Sequence, residues 1–282
     1  MFSKFKIILI ILAIIVATFF IYDDWQKYHD KNFQVIFLNI GQGDSALIKF
    51  RNGEKMLVDC GPNNTVLARL STYLSFFDRT IDYLVVTHPD LDHYGGCVDV
   101  LRRYKVKNII ENGDTKNDSY FREWQNLADV EGAKRFIQTE RHATEIGGTK
   151  IDWLAPDQGV IVDNPDSNNR SIVFKLTDDK KSFLLTGDAE MPLENALLKK
   201  YCATLSACPA LQSEYLKVGH HGSDSSSGAE WLSTIAPKVG IVSVGKNKFG
   251  HPSLRVMRNL QRVGAGILRT DEIGDITVNT AI

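Results

Sequence analysis

Ten consecutive residues, Thr87-His88-Pro89-Asp90-Leu91-Asp92-His93-Tyr94-Gly95-Gly96, constrain the fold of this chain more than any other stretch. Four side chains able to bind a metal, His88, Asp90, Asp92 and His93, fall within six positions, directly after the apolar run 81–86. An apolar run ending in alternating ligands, then Gly-Gly, then an amphipathic segment over 98–104, predicts strand, loop and helix. The ligands then sit at the carboxyl end of a strand, where open α/β layers gather their chemistry. A solvated acidic loop with incidental histidines is the plainer alternative. Nitrogen and oxygen donors packed this closely argue against it.

Other segments repeat the same grammar. Leu184-Leu185-Thr186-Gly187-Asp188-Ala189 is an apolar strand ending in a carboxylate, and Leu216-Lys217-Val218-Gly219-His220-His221-Gly222-Ser223 ends in two histidines. Phe249-Gly250-His251-Pro252 follows the apolar run 239–244. Five of the seven histidines therefore lie just past strand ends, while His29 and His142 read as solvated. Further strands are expected at 35–40, 46–50, 55–59, 108–111, 151–154, 171–176, 182–186, 214–218, 239–243, 266–270 and 275–279. Helices are expected at 66–77, 97–104, 119–127, 190–201, 228–235 and 253–262. Outside its helix, the polar stretch 113–147 is the least legible, and 157–169 reads as a loop. The order of strands, helix, strand and helix occurs twice. It predicts an α+β protein, a four-layer αββα sandwich with two sheets face to face and helices outside.

Residues 1–30 differ in kind. Lys4 and Lys6 precede the uncharged run 7–22, and Asp23 and Asp24 close it. Sixteen residues lie between the roughly 7–15 of a signal-peptide core and the about 20 that span a bilayer. The sequence Ile21-Tyr22-Asp23-Asp24-Trp25 makes a poor cleavage site. Residues 1–30 are thus expected to be a membrane anchor, or else a signal segment, inserting through residues 7–22. Residues 31–282 would form the exported domain, membrane-anchored and extracytoplasmic or secreted, with Lys4 and Lys6 on the cytoplasmic side. Cys202 and Cys208 are close enough for a small disulfide loop in an oxidising space. Cys60 and Cys97 each follow a motif segment and are either neighbours or separately buried. A net charge of −1 gives no overall field for polyanions, and no feature implies an obligate protein partner.

His88-x-Asp90-x-Asp92-His93-x-Gly95-Gly96, Gly187-Asp188-Ala189 and His220-His221-Gly222-Ser223, in this order, resemble the metallo-β-lactamase superfamily. Within it the chain is most similar to the hydrolase domain of ComEC-type DNA-uptake proteins. Phe37-Leu38-Asn39-Ile40-Gly41-Gln42-Gly43-Asp44, Val58-Asp59-Cys60-Gly61, Asn168-Asn169-x-Ser171 and Gly250-His251-Pro252 share that likeness, which covers about 33–280. The family usually reads His-x-His-x-Asp-His. Asp90 stands where the second histidine would be, and no histidine lies near Asn168-Asn169. The first metal position is thus richer in oxygen, which makes manganese a competitor of zinc.

The resemblance implies two divalent metal ions, Zn or Mn. His88, Asp90 and Asp188 would hold the first. Asp92, His93, a bridging Asp188 and one histidine of the pair would hold the second. His221 is preferred to His220, because in the family the ligand directly precedes a glycine; His220 would then face substrate. Asp92 and His251 carry the catalytic expectation. Asp59 would orient a ligand histidine, and Asn169 or Ser223 would bond to phosphoryl oxygens, although turn chemistry suits these three equally. The implied activity is a metal-dependent phosphodiesterase or nuclease with a phosphodiester substrate, DNA among them. The alternatives are a phosphodiester hydrolase acting on cell-wall or lipid substituents, as in phosphocholine esterases, or a non-catalytic surface-binding module. With one apolar segment, the 282 residues are not expected to form an uptake pore.

Overall fold

A computed structural model describes residues 4–160, 162, 166–205 and 207–279, so part of the expected 157–169 loop and the extreme ends of the expected segments lie outside the described residues. Strands β1 (Gln34–Phe37), β2 (Ala46–Lys49) and β3 (Lys55–Val58) form an antiparallel meander. Strands β4 (Thr80–Val86), β5 (Lys105–Glu111) and β6 (Lys134–Ile137) then add in parallel. The second sheet mirrors this plan. Strands β7 (His142–Ile146), β8 (Thr149–Ala155), β9 (Val173–Asp178) and β10 (Lys181–Leu185) are antiparallel. Strands β11 (Tyr215–Lys217), β12 (Val239–Val242) and β13 (Gly266–Arg269) continue it in parallel. Strand β14 (Ile276–Asn279) crosses back to pair with β1, which gives two seven-stranded sheets.

Alternating side chains explain why the central strands read as continuous apolar runs. Val35 and Phe37 of β1 enter a core shared with Phe174, Phe183 and Ile241 of the opposite sheet, whereas Ile36 between them faces outward. On that outer face Ile36, Leu57 and Leu84 pack with Leu70, Val98 and Trp124 from helices. Leu184, Leu216 and Val242 do the same with Leu197, Trp231 and Leu260 on the other side. Strands buried on both faces lose the polar half of the alternation. The result is the four-layer sandwich expected from the sequence.

Strands β6 and β7 carry no such signal. Each is an edge of its sheet and largely solvated: Lys134, His142 and Glu145 are exposed, Arg135 is half-buried, and only Ile146 of these two strands is buried. Charged, short strands are how sheet edges avoid pairing with other chains. The helix expected over 66–77 is shorter, Thr65–Tyr73, and a loop carries the chain from Leu74 to β4. At the N-terminus, helix Lys4–His29 is largely exposed and, by its length and composition, long and apolar enough to cross a bilayer. His29 and His142 are exposed.

Both cysteine pairs are disulfides, Cys60–Cys97 and Cys202–Cys208. The first ties the turn after β3 to the helix that follows the ligand stretch. That turn also explains Gly95-Gly96. A side chain on Gly96 would run into the carbonyls of Cys60 and Asn63, and one on Gly95 into those of Pro62 and Leu91. Because β3 and β4 run parallel in one sheet and β10, β11 and β12 in the other, their carboxyl ends gather on one edge of the sandwich.

Candidate metal centre

Strand β3 ends in Asp59, whose backbone takes the left-handed conformation (φ 55°) and turns the carboxylate across to the end of β4. There Asp59 accepts hydrogen bonds from the Thr87 amide and hydroxyl, both at 2.8 Å. The same carboxylate lies 2.8 Å from His93 Nδ1, so it fixes the ring and directs Nε2 into the cleft. His221 is set in the same way, with Nδ1 2.9 Å from the Ser243 carbonyl at the end of β12. His88 Nδ1 stands 3.1 Å from the Thr87 hydroxyl and 3.4 Å from that of Ser171. His220 and His221 are consecutive left-handed residues, φ 46° and 53°. Such backbone costs on the order of 1–2 kcal/mol per residue and persists where the surroundings hold it. It splays the two rings to different sides.

Three Nε2 atoms, those of His88, His93 and His221, are buried without a hydrogen-bond partner among the described residues, and so is Asp188 Oδ1. Asp188 Oδ2 lies 3.2 Å from His93 Nε2 and 3.4 Å from His221 Nε2, and Asp92 Oδ2 lies 3.3 Å from the latter. One donor atom from each of Asp92, His93, Asp188 and His221 falls within 4.8 Å of all the others. His88 adjoins them, its ring 4.1 Å from that of His93 and its Nε2 3.8 Å from Asp90 Oδ2. Buried polar atoms normally find partners. Imidazoles anchored through Nδ1, with Nε2 turned toward carboxylates, are donors of the kind that can hold a divalent cation.

The remaining expected residues lie at varied distances from this cluster. Asp90 keeps one oxygen toward His88, while the other accepts from Lys116 and, at 2.9 Å, from Ser167. His220 is partly exposed. Its Nδ1 is 3.0 Å from Glu190 Oε1, and its Nε2 is 3.9 Å from Asp188 Oδ2. His251 stands on the rim beside the His220 ring at 5.4 Å, with its Nδ1 buried and unpartnered. Asn169 and Ser223 contact none of the clustered atoms. Asn169 donates to Glu190 at 3.2 Å and accepts from the Leu193 amide at 3.2 Å, and the Ser223 hydroxyl pairs with that of Ser225 at 2.9 Å. Both shape the turn under His220.

Sequence reasoning missed three participants. Glu190 collects His220, Ser225 and both asparagines into one network. Lys217 is fully buried beneath the cluster. Its ammonium pairs with Asp44, donates to the Gly187 carbonyl at 3.1 Å and lies 3.7 Å from Asp188 Oδ1. Asp44 in turn stands 3.3 Å from His221 Nδ1. A lysine inside an otherwise apolar strand was the available signal, because lysine is almost never buried unless paired.

The electrostatics follow from this packing. Burial is the largest single influence on His93 and His221 and pulls both pKa values down, but Asp188 together with Asp59 for His93, and with Asp44 and Asp92 for His221, outweighs it. His93 rises well above the usual range, and His221 reaches about 10. Burial works to raise Asp188, yet His221, His93 and Lys217 hold it well below a normal carboxylate. His88 behaves oppositely: burial and the neighbouring His93 lower it to about 4. The clustered carboxylates thus favour the charged imidazoles of His93 and His221, with Asp188 Oδ2 3.2 and 3.4 Å from their Nε2 atoms.

The sequence profile of the Metallo-beta-lactamase superfamily matches residues 38–246, which include strands β2 to β12 and every clustered residue. The chain belongs to that superfamily. It is 31% identical over 263 residues to ComE operon protein 3 of Bacillus subtilis strain 168, covering 86% of this chain and 32% of that protein. It is 30% identical over 252 residues to Recombination protein 2 of Haemophilus influenzae, covering 87% and 29%. Competence protein ComA of Neisseria gonorrhoeae is 29% identical over 243 residues, covering 83% and 30%. The chain thus spans about a third of the length of these curated relatives. Among solved structures, the metallo-beta-lactamase fold protein YhfI from Bacillus subtilis superposes with a TM-score of 0.54 at 12% identity, over 87% of this chain and 99% of that one. CmlA, a diiron beta-hydroxylase from Streptomyces venezuelae, gives 0.57 at 13% identity, over 88% and 54%. These likenesses establish the fold. Metallo-beta-lactamase folds usually bind divalent metals, and the clustered histidines and aspartates are where this member offers the donors.

Proposed function

We propose that this chain is a metal-dependent phosphodiester hydrolase of the ComEC type that acts on nucleic acid. Three inward-facing Nε2 atoms and Asp188 Oδ1, all buried and unpartnered, carry the metal part of the reading. Asp92, His93, Asp188 and His221 would hold one divalent ion, and His88 and Asp90, with Asp188 shared, the other. Ions bound there supply Lewis acidity and lower the pKa of water to near neutrality. The chain's own groups do the rest. Asp59 and the Ser243 carbonyl keep two imidazoles aimed into the cleft. His220, held by Glu190, and His251 on the rim offer ring nitrogens to phosphoryl or leaving-group oxygens.

Asp90 in place of a nitrogen donor favours harder ions, and with them phosphoester chemistry. The names of the competence relatives support DNA as the substrate. At the rim, exposed Phe249 stacks on His251 at 5.6 Å, with the Lys248 ammonium 5.6 Å over its ring. A cation beside an exposed aromatic suits a base and its phosphate. The apolar helix and the two disulfides support anchoring in a membrane with the sandwich on an oxidising, extracytoplasmic side.

The test is hydrolysis by the purified full chain of single-stranded DNA, bis-nitrophenyl phosphate and a phosphocholine ester, each with Mn²⁺ or Zn²⁺. Cleavage of DNA, lost in Asp188→Ala, is expected. Cleavage of the choline ester alone transfers the reading to cell-wall or lipid substituents. Turnover that persists in Asp188→Ala refutes the metal centre as catalyst.

A further inference from the structure

We infer that the loop between helix Thr65–Tyr73 and β4 is a second membrane contact, seating the sandwich on the bilayer entered by the N-terminal helix. The inference rests on the anchor reading above and adds a lipid-binding surface to it. The apolar run 7–22 measures about 24 Å at 1.5 Å per residue, short of the roughly 30 Å hydrocarbon core. Tyr22 closes it and Trp25 and Tyr28 follow, all exposed, as residues of the lipid–water interface are. Within that zone the Asp24 carboxylate accepts the Ser75 hydroxyl at 2.7 Å and the Phe76 amide at 2.5 Å. The loop is therefore pinned at the level where the helix leaves the bilayer.

What the loop presents there is apolar and cationic. Phe76 and Phe77 are 64% and 81% exposed, large values for adjacent aromatics. Arg79 lies over the Phe76 ring at 4.7 Å. Phe20 and Ile21 of the helix, both phenylalanines, Arg79 and Arg103 line one cleft of about 440 Å³. The helix and the loop thus form a continuous apolar surface. Of the nearby acids, Asp23 pairs with Lys27 at 2.8 Å and Asp78 with Lys55 at 2.6 Å, while the Asp24 carboxylate is occupied by the Ser75 and Phe76 donors. Aromatic rings with adjacent arginines match the acyl boundary and the phosphates of anionic lipid. Strand β4 leaves this loop at Thr80 and ends at Val86, just before the ligand stretch. Seven residues separate tip from cluster by about 20 Å along the strand. Headgroups held at the tip are out of reach of the cluster, so its substrate arrives from the aqueous side.

All four native cysteines are in disulfides, so an introduced cysteine takes a thiol-reactive dye selectively. The full chain is reconstituted in phosphatidylcholine–phosphatidylglycerol vesicles carrying doxyl-labelled lipid. An environment-sensitive dye is placed in turn at Ile14→Cys, Phe77→Cys and Val130→Cys. Labels at 14 and 77 should be quenched at least twofold more than the label at 130. A label at 77 that matches 130 while 14 is quenched overturns the seating. An unquenched label at 14 overturns the anchor beneath it. Independently, Phe76→Ser with Phe77→Ser should reduce by about half the quenching of a label at Ser71→Cys; unchanged quenching there also overturns the inference.

Discussion

In Lys217→Met the buried ammonium is lost while most of the aliphatic stem remains. The ammonium compensates Asp44 directly and faces Asp188 Oδ1 at 3.7 Å. At an effective dielectric near 20, opposite charges at that separation attract by about 4 kcal/mol, and breaking a buried pair by removing one partner typically costs roughly 3–5 kcal/mol. Each kcal/mol moves the melting temperature of a protein this large by about 2–4 °C, so the metal-free variant should melt roughly 10 °C lower. Metal offsets part of this loss. The same ammonium repels a cation held by Asp188, so the variant should bind Mn²⁺ or Zn²⁺ more tightly. Tenfold tighter binding adds about 1.4 kcal/mol to the metal-induced stabilisation at saturating metal. Thermal unfolding followed by circular dichroism, with chelator and then with metal, reads both effects. A metal-free melting temperature within about 2 °C of wild type, or a metal-induced gain no larger than wild type's, refutes the reasoning.

Asp59→Asn keeps the shape but loses the charge that orients His93. We expect metal affinity to fall roughly 10–100-fold, read by competition with a fluorescent chelator, with activity restored by excess metal. Burial raises the Glu194 carboxyl to about 7, against the Gly228 and Ser227 amides that favour its charge. Because the folded value lies above the unfolded one, the contribution of this group is fully present below pH 4.5 and lost as the pH rises through 7. Glutamine does not titrate. The stability of Glu194→Gln relative to wild type should therefore rise by roughly 2–3 kcal/mol between pH 5 and 8, measured by urea unfolding, and a flat difference would contradict the assignment.

The sandwich was legible because its central strands are buried on both faces and read as apolar runs broken by glycine. The convergence of the candidate ligands was legible because histidine and aspartate stand at strand ends beside Gly187, Gly222 and the Gly95-Gly96 pair. Strands β6 and β7 were not, since solvated edge strands resemble loops in sequence. Lys217 and Asp44 escaped notice for a different reason: each explains the other, and the fold alone brings them together. Asn169 and Ser223 fitted turn chemistry and substrate contact equally well in sequence, and their side chains take part in turn bonds. A polar side chain next to a site bonds to whatever the turn supplies, here Glu190, Leu193 and Ser225.

Metal content tests the centre most directly. The full chain, equilibrated with Mn²⁺ or Zn²⁺ and freed of excess ion, is analysed by inductively coupled plasma mass spectrometry beside Asp188→Asn. We expect about two ions per wild-type chain and a large loss in the variant. A wild-type chain that retains almost no metal, and whose melting temperature a chelator leaves unchanged, would contradict the site as built from His88, His93, Asp188 and His221.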